Sequence, residues 1–266
     1  MNLQFSKQPK ILDVLTRNGL KTFSRPNELN IIGIRSSSTV SNKFDDVLHV
    51  CYATEMGTWH QHIFHCTTDP GTYFLNHPMN KLGSALLKHG QYLNAYELGL
   101  HRGKYKALVQ RKPVTVYRSK NNSTDIDSKT AHAQTGLFGI NIHHASGNGT
   151  TQDVNRWSAG CQVIANINDF KELITLAEKH AKQYGNHFTY TLLDYRTEGY
   201  EPIAFSNENP NTTVLKETEK TTQTYEDIPN ADNKHSTHKA GVLLLGLTAL
   251  LGLGTGVYYI TSNNKK

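Results

Sequence analysis

The stretch FGINIHHASGNGTTQDVNRWSAGCQV occupies residues 138–163 and contains two short apolar runs separated by a polar, glycine-containing loop. Ile140 and Ile142 alternate with polar residues, which predicts a strand with one buried face. A second apolar run follows Cys161 and predicts a second strand. If these strands are neighbours, the thiol of Cys161 lies close to the imidazole of His143. A thiol attacks a carbonyl carbon only as a thiolate, so a nearby imidazole suits a cysteine nucleophile.

The adjacent pair His143 and His144 offers two candidate bases. On strict alternation, His144 shares the core face with Ile142, while His143 points toward an open site. We therefore predict His143 as the base. We expect His144 to support it, for example through a backbone carbonyl that orients the imidazole.

These residues resemble the signature of the L,D-transpeptidase catalytic domain family, a strand ending in Ile-His, a variable loop and then Ser-x-Gly-Cys. Residues 68–73, Thr-Asp-Pro-Gly-Thr-Tyr, look like the hairpin that precedes the active site in that family. The resemblance covers roughly residues 28–195. It implies an acyl-enzyme on Cys161 and peptidoglycan stem peptides as substrates. Backbone N–H groups of Gly160 and Cys161 would hold the oxyanion, and Ser158 would shape the loop.

The sequence departs from the family pattern after the cysteine. The family continues with an apolar residue and arginine, whereas Gln162 and Val163 stand here. The substrate-facing arginine is therefore missing, and Arg156 is a candidate replacement. We also expect Trp157 and His101 to border the substrate. The departures leave the choice between peptide transfer and hydrolysis open.

Composition favours a mainly β (α+β) fold. The chain has 266 residues, 13 of them tyrosine, with 37% hydrophobic and 19% charged residues, and its apolar runs are short and split by Gly, Pro and Asn. The resemblance narrows this to an L,D-transpeptidase-like β-sandwich with a helix after the cysteine. The predicted strands cover residues 30–36, 47–54, 61–68, 105–110, 114–118, 139–143, 162–165 and 188–194.

Two helices are predicted from apolar periodicity. The first spans residues 9–18, with Ile11, Leu12, Val14 and Leu15 on one face. The second begins at a capping pair of Asp169 and Glu172, presents an apolar stripe and ends at Gly185.

The C-terminal part changes character. Residues 201–239 are polar and lack apolar periodicity, which predicts a disordered linker. Residues 241–260 carry no charge, and a helix of this length matches the thickness of a bilayer, so we predict a transmembrane helix over 240–261. Gly252 and Gly256 have a spacing that could support self-association of this helix. A short basic tail follows at 262–266. The remaining divisions are a helical lead-in at 1–27 and a catalytic domain at 28–200.

Localisation follows from these segments. We expect a single-pass membrane protein, anchored at its C-terminus, whose catalytic domain faces the cell envelope. Because the N-terminus lacks the apolar core of a signal peptide, residence in the membrane of a phage particle would also fit. Lysines flank both ends of the apolar segment, so charge does not decide the orientation.

Other chemistries are less well supported. His60, His62, His65 and Cys66 lack a recognised metal-ligand spacing, so we expect no metal and no cofactor. Cys51 and Cys66 would be free buried thiols or a hairpin disulfide, with free thiols favoured. The net charge of +6 is modest, and no nucleic-acid-binding motif is present.

Two alternative functions remain. In a papain-like or amidase-type peptidase the histidine follows the cysteine, and His187 is the candidate. The chain could also be a non-catalytic envelope or virion protein that keeps the fold.

Overall fold

The computed structural model describes residues 1–119, 123–125 and 131–195. The described part is mainly β, as predicted, with twelve strands and three helices. The helices are α1 (Lys10–Arg17), α2 (Thr72–Asn76) and α3 (Ile167–Tyr184). The strands are β1 (Asn2–Phe5), β2 (Asn30–Arg35), β3 (Asp46–Ala53), β4 (Trp59–Thr67), β5 (Ser84–Leu87), β6 (Gly90–His101), β7 (Tyr105–Gln110), β8 (Val114–Ser119), β9 (Ala133–Gly136), β10 (Ile142–His144), β11 (Gln162–Ile164) and β12 (Phe188–Asp194).

The strands form two sheets. The larger has nine strands in the order β1-β4-β11-β10-β7-β6-β12-β2-β3, and β3 also pairs with β4. This extra pairing closes eight of the strands into a ring, with β1 added beside β4. The smaller sheet has the order β5-β8-β9. The strands β10 and β11 are parallel neighbours, which places the segment after Cys161 beside the segment that carries His143.

The main core lies between the two sheets and α3. It joins residues of β5 and β8, such as Leu87 and Val116, to residues of the large sheet, such as Ile142, and to Phe170 and Leu173 of α3. Burying such aliphatic and aromatic side chains contributes about 1.5–3 kcal/mol each. The three-stranded sheet is therefore held against the strands that carry the candidate site.

A second core forms under α1. The buried face of α1 consists of Ile11, Leu12, Val14 and Leu15, as predicted, and it packs with Ile32, Ile34 and Val47 of the sheet. Because β1 pairs with β4, the N-terminal segment is packed on the same sheet as the site strands.

The predicted strands over β2, β3, β4, β7, β8, β11 and β12 are confirmed within a residue or two, and β10 is shorter than predicted. The predicted N-cap of α3 is wrong, because the side chain of Asn166, rather than Asp169, accepts hydrogen bonds from the N–H groups of residues 168 and 169. The end of α3 at Gly185 is confirmed.

The predicted hairpin over residues 68–73 is also wrong. The chain instead turns after β4 and enters α2 directly after Gly71. A Cβ at Gly71 would lie 2.1 Å from the carbonyl oxygen of Asn155, so glycine permits the turn to contact the loop before Cys161.

The predicted linker, transmembrane helix and basic tail lie outside the described residues. Among the helices that the structure does describe, none combines the length and the apolar character needed to cross a bilayer.

Candidate active site

A cavity of about 430 Å³ brings Cys161 and His143 together, and both side chains line it. Its other walls come from the β6–β7 turn, the segment around Gly139, the end of β8 and the loop that contains Trp157. This volume falls in the range of small-molecule sites.

The register of β10 and β11 explains why the two side chains line the same cavity. His143 pairs with Val163, and the N–H of Gln162 donates to the carbonyl of Asn141 at 2.9 Å. Cys161 therefore lies beside Asn141, on the strand face that His143 shares. Strand spacing and rise place the Cα atoms of Cys161 and His143 about 8 Å apart, a span that an imidazole side chain can bridge.

His143 faces the cavity, in line with the prediction that it points toward the site, but its side chain is buried, with an exposed fraction of 3%. Burial and the neighbouring ring of His101 lower the pKa of His143 to about 3. The imidazole is therefore neutral at physiological pH. Its Nδ1 lies 2.8 Å from the carbonyl oxygen of His144, which can only accept, so Nδ1 carries the proton and Nε2 is the basic atom. The carbonyl of His144 thus orients the imidazole in the way the sequence suggested.

A second histidine supports the first. The ring of His101 stacks on that of His143 with centroids 4.1 Å apart. The N–H of Gln110 donates to Asn141 Oδ1 at 2.9 Å, which leaves Asn141 Nδ2 to donate to His101 Nδ1 at 3.0 Å. His101 is therefore buried and held in place, and it lines the cavity. Burial lowers the pKa of His101 to about 4, so this ring is also neutral at pH 7.

Tyr105 closes the cluster of rings. Its hydroxyl lies 3.3 Å from His143 Nδ1, and its ring lies 4.2 Å from that of His144. Burial raises the pKa of Tyr105 to about 12, so the hydroxyl stays protonated. No local sequence pattern marked Tyr105 or Asn141 as site residues, although Asn141 lies on the same strand face as His143.

The thiol of Cys161 is partly exposed and hydrogen-bonds to the carbonyl oxygen of Gly139 at 3.3 Å rather than to His143. Burial raises the pKa of the thiol, while the backbone N–H of Asn141 and the charge of Arg102 act in the opposite direction. The pair is therefore a neutral thiol beside a neutral imidazole. Rotation of the Cys161 side chain to another staggered rotamer would redirect the sulfur.

The loop before Cys161 is fixed by Ser158. The Ser158 hydroxyl donates to the carbonyl of Cys161 at 2.8 Å and accepts from the N–H of Gly160 at 3.1 Å. The prediction that the Gly160 N–H holds an oxyanion is therefore wrong for this loop conformation, because Ser158 occupies that donor. The backbone N–H of Cys161 remains as the candidate donor.

Gly160 has a structural reason to be glycine. Its φ is +124°, and a Cβ would lie 2.4 Å from the carbonyl oxygen of Ala85. This conformation and contact are incompatible with an ordinary side chain. Gly160 therefore shapes the site by letting the loop approach β5.

Asn42 anchors the same loop from far away in sequence. Its carbonyl accepts from the N–H of Val154 at 3.1 Å, and its side-chain oxygen accepts from the N–H of Asn155 and from the Thr72 hydroxyl. Asn42 adopts a left-handed φ of +77°, a conformation that asparagine tolerates. Nothing in the local sequence indicated this contact.

Of the other predicted site residues, some line the cavity and some do not. Trp157 lines the cavity and is 43% exposed, whereas His144 lies against Phe170 of α3 with ring centroids 4.9 Å apart. Arg156 is not a cavity residue. Its guanidinium lies 3.9 Å from the centroid of the Tyr73 ring, so it stabilises the loop by a cation–π contact.

Two cations that the sequence did not indicate line the cavity. Arg102 lies in the β6–β7 turn, where it and Gly103 both have positive φ, and Arg118 comes from β8. Gln162 and Val163 are buried, and the Tyr190 hydroxyl donates to Gln162 Oε1 at 2.8 Å. The residues after the cysteine therefore pack into the core, and the positive charge at the cavity comes from the β6–β7 turn and from β8.

The alternative chemistries find little support in the described residues. His187 packs near His180 and is not among the residues that line the cavity. Cys51 and Cys66 are free and buried, which confirms the favoured reading. His60 and His62 stack with Tyr52, and within the described ranges no group of three or more potential ligands is arranged to hold a metal ion.

Comparison with known proteins gives no relative. No protein-family model matches this chain, and no curated protein or solved structure matches it.

Proposed function

We propose that the protein is a cysteine acyltransferase or hydrolase that acts on peptide substrates, with peptidoglycan stem peptides as the class that the sequence resemblance implies. One observation carries the proposal: a thiol and a neutral imidazole with a fixed tautomer line one cavity from adjacent parallel strands. The L,D-transpeptidase-like form of the fold belongs to the same proposal.

In the proposed reaction the Cys161 side chain rotates away from Gly139, and His143 Nε2 removes the thiol proton. The sulfur attacks the substrate carbonyl carbon, and the backbone N–H of Cys161 stabilises the oxyanion. The imidazolium then returns the proton to the departing amine, which leaves a thioester. An amine of a second peptide resolves the thioester to a crosslink, or water resolves it to a free acid.

The neutral pair sets a requirement on this mechanism. An imidazole whose pKa is lowered to about 3 is a weak base toward a thiol whose pKa is raised by burial. Proton transfer therefore has to be assisted by substrate binding, with Arg102 as the nearby charge that favours the thiolate. We place the membrane anchor over residues 240–261 and the catalytic domain on the envelope side or in a phage particle, as part of the proposal.

The test is incubation of the full chain with purified muropeptides, with products identified by mass. We expect transfer or hydrolysis products from wild-type protein and a loss of about 10³-fold or more in Cys161→Ala. Cys51→Ala is the matched control, because its thiol is buried away from the cavity, and it should keep activity. A carbapenem should add its mass to Cys161, as the resemblance implies.

Two further outcomes separate the alternatives. His143→Ala should lose activity and His187→Ala should keep it; the reverse would favour a papain-like peptidase. Full biological function of the Cys161→Ala protein would support a non-catalytic envelope or virion role.

A further inference from the structure

The cavity contains a buried cation that pairs with no carboxylate of the residues that the structure describes. Arg118 lines the cavity with an exposed fraction of 9%. Its contacts are neutral: Nε donates to Gln134 Oε1 at 2.7 Å, Nη1 donates to the carbonyl of Gly83 at 3.4 Å, and the guanidinium lies 5.0 Å from the centroid of the Phe138 ring. None of the ion pairs formed by the described residues includes Arg118.

These contacts hold the guanidinium in place without using all of its donors. Guanidinium has five N–H groups in a planar fork, and the two bonds to Gln134 and Gly83 occupy a minority of them. The cation–π contact with Phe138 further restrains the position of the group. A fixed planar fork beside a cavity fits the two oxygens of a carboxylate.

The electrostatic situation favours an anionic occupant. Burial lowers the pKa of Arg118 from its ordinary value, but arginine remains protonated at all physiological pH values. A positive charge in a poorly solvated site is unfavourable until an opposite charge approaches. A ligand carboxylate would supply that charge.

We propose that Arg118 binds a carboxylate of the substrate in the cavity beside Cys161. The arginine expected after the cysteine is absent, because Gln162 and Val163 stand there, and Arg118 of β8 supplies the positive charge instead. Arg102 has a different role. It is exposed in the β6–β7 turn, and its charge acts on the thiol itself. Arg118 therefore selects the substrate, whereas Arg102 adjusts the nucleophile. The naming of the substrate as a peptide rests on the proposed function, but the anion site does not.

A first experiment needs no turnover. The full chain is alkylated at low ionic strength with iodoacetate, an anion, and with iodoacetamide, its neutral analogue, and modification of Cys161 is followed by peptide mass mapping. Both reagents require the same thiolate, so the ratio of their rates cancels changes in thiol pKa. We expect Arg118→Gln to lower the iodoacetate-to-iodoacetamide ratio about tenfold, as for loss of a charged hydrogen bond. Arg118→Lys should have a smaller effect.

The controls make the result specific to this position. Arg111 pairs with Glu97 and is not a cavity residue, so Arg111→Gln should keep the wild-type ratio. Arg102→Gln should slow both reagents together. Modification of the buried Cys51 and Cys66 would reveal an unfolded variant. An unchanged ratio in folded Arg118→Gln would overturn the proposal.

Wild-type protein supplies a measurement that does not depend on any variant. A peptide with a free C-terminal carboxylate should protect Cys161 from iodoacetamide at about tenfold lower concentration than the same peptide as its C-terminal amide. Equal protection by the two peptides would also overturn the proposal.

Turnover assays separate this inference from the proposed function. With the carboxylate peptide, Arg118→Gln should raise KM about tenfold with a smaller change in kcat, and the amide peptide should respond little. An alkylation preference without turnover would leave the anion site standing and refute the enzymatic function. Turnover that does not depend on Arg118 would support the enzymatic function and overturn the anion site.

Discussion

Arg35 and Arg118 are both buried arginines, but the protein surrounds them in opposite ways. Arg35 is 1% exposed, and its guanidinium contacts Asp194 Oδ2 at 2.7 Å and Asp69 Oδ1 at 3.0 Å. These carboxylates raise the pKa of Arg35. Among the described residues Arg118 has only neutral partners, and burial lowers its pKa. The described residues therefore neutralise Arg35 internally, whereas we propose that a ligand supplies the counter-charge of Arg118.

The two regions are connected through the loop after β4. Asp69 is followed by Gly71, whose N–H donates to the carbonyl of Ser158 at 2.9 Å. Ser158 in turn fixes the loop that ends at Cys161. The cluster of Arg35, Asp46, Asp69 and Asp194, which we call the Arg35 cluster, thus supports the loop that ends at Cys161, whereas Arg118 lines the cavity.

The largest effect should come from removing the two arginines in turn. Arg35→Met leaves buried carboxylates without a counter-ion, and we expect a loss of about 3–5 kcal/mol in the free energy of unfolding. Arg118→Met removes an unneutralised charge together with two hydrogen bonds, and we expect a change below about 1.5 kcal/mol. Urea unfolding at pH 7 measures both. Similar losses in the two variants would abolish the distinction between the regions.

The sequence predicts the fold where patterns are local. The strands β2, β3 and β12 are apolar runs bounded by turn residues, and α1 shows its buried face directly. The strand β6 was missed because its apolar residues are interrupted by Gly, Asn and Glu and most of its residues are half-buried or exposed. The strand β10 is short because Gly139 has a φ of +72°, which interrupts an extended strand.

The candidate site also contains residues that a local sequence pattern predicts and residues that it does not. His143 and Cys161 follow from a local pattern of strand, loop and strand. Arg118 and Asn42 do not, because their contacts with the site depend on how distant strands pair. Arg118 in particular appears in sequence as one polar residue at the end of a predicted strand. Only the packing of the small sheet on the large one reveals that it lines the cavity.

The second prediction concerns the loop beside the cavity and not the Arg35 cluster. Gly160→Ala adds a Cβ where the φ is +124° and the Ala85 carbonyl oxygen would lie at 2.4 Å. We expect a loss of about 2–3 kcal/mol in the free energy of unfolding and a displaced Cys161 that alkylates at a different rate. Gly147→Ala in the same loop region is the matched control, since no atom lies within 4 Å of its Cβ. A fully stable Gly160→Ala protein with normal thiol reactivity would show that the loop is adaptable.

The smallest expected effect is a difference in pH dependence between the two regions. Burial and the neighbouring Asp69 raise the pKa of Asp46 in the Arg35 cluster to about 7, and burial lowers the pKa of His143 to about 3. Between about pH 4 and 6.5 the folded protein therefore holds a proton on Asp46 that the unfolded chain releases. Over the same window the folded protein lacks a proton on His143 that the unfolded chain binds.

The two groups consequently act in opposite directions on stability. As pH rises through this window, the folded protein keeps the proton on Asp46 while the unfolded chain does not, so the stability that Asp46 contributes falls, whereas His143 contributes stability that is complete only above the unfolded pKa of about 6.5. Asp46→Asn should make the free energy of unfolding rise more steeply with pH, and His143→Gln should make it rise less steeply. Each slope should change by about 1.4 kcal/mol per pH unit, the value for one proton. Urea unfolding from pH 4.5 to 6.5 measures both slopes. If both variants shifted the slope in the same direction, the two regions would share one electrostatic environment, and the contrast between Arg35 and Arg118 would lose its physical basis.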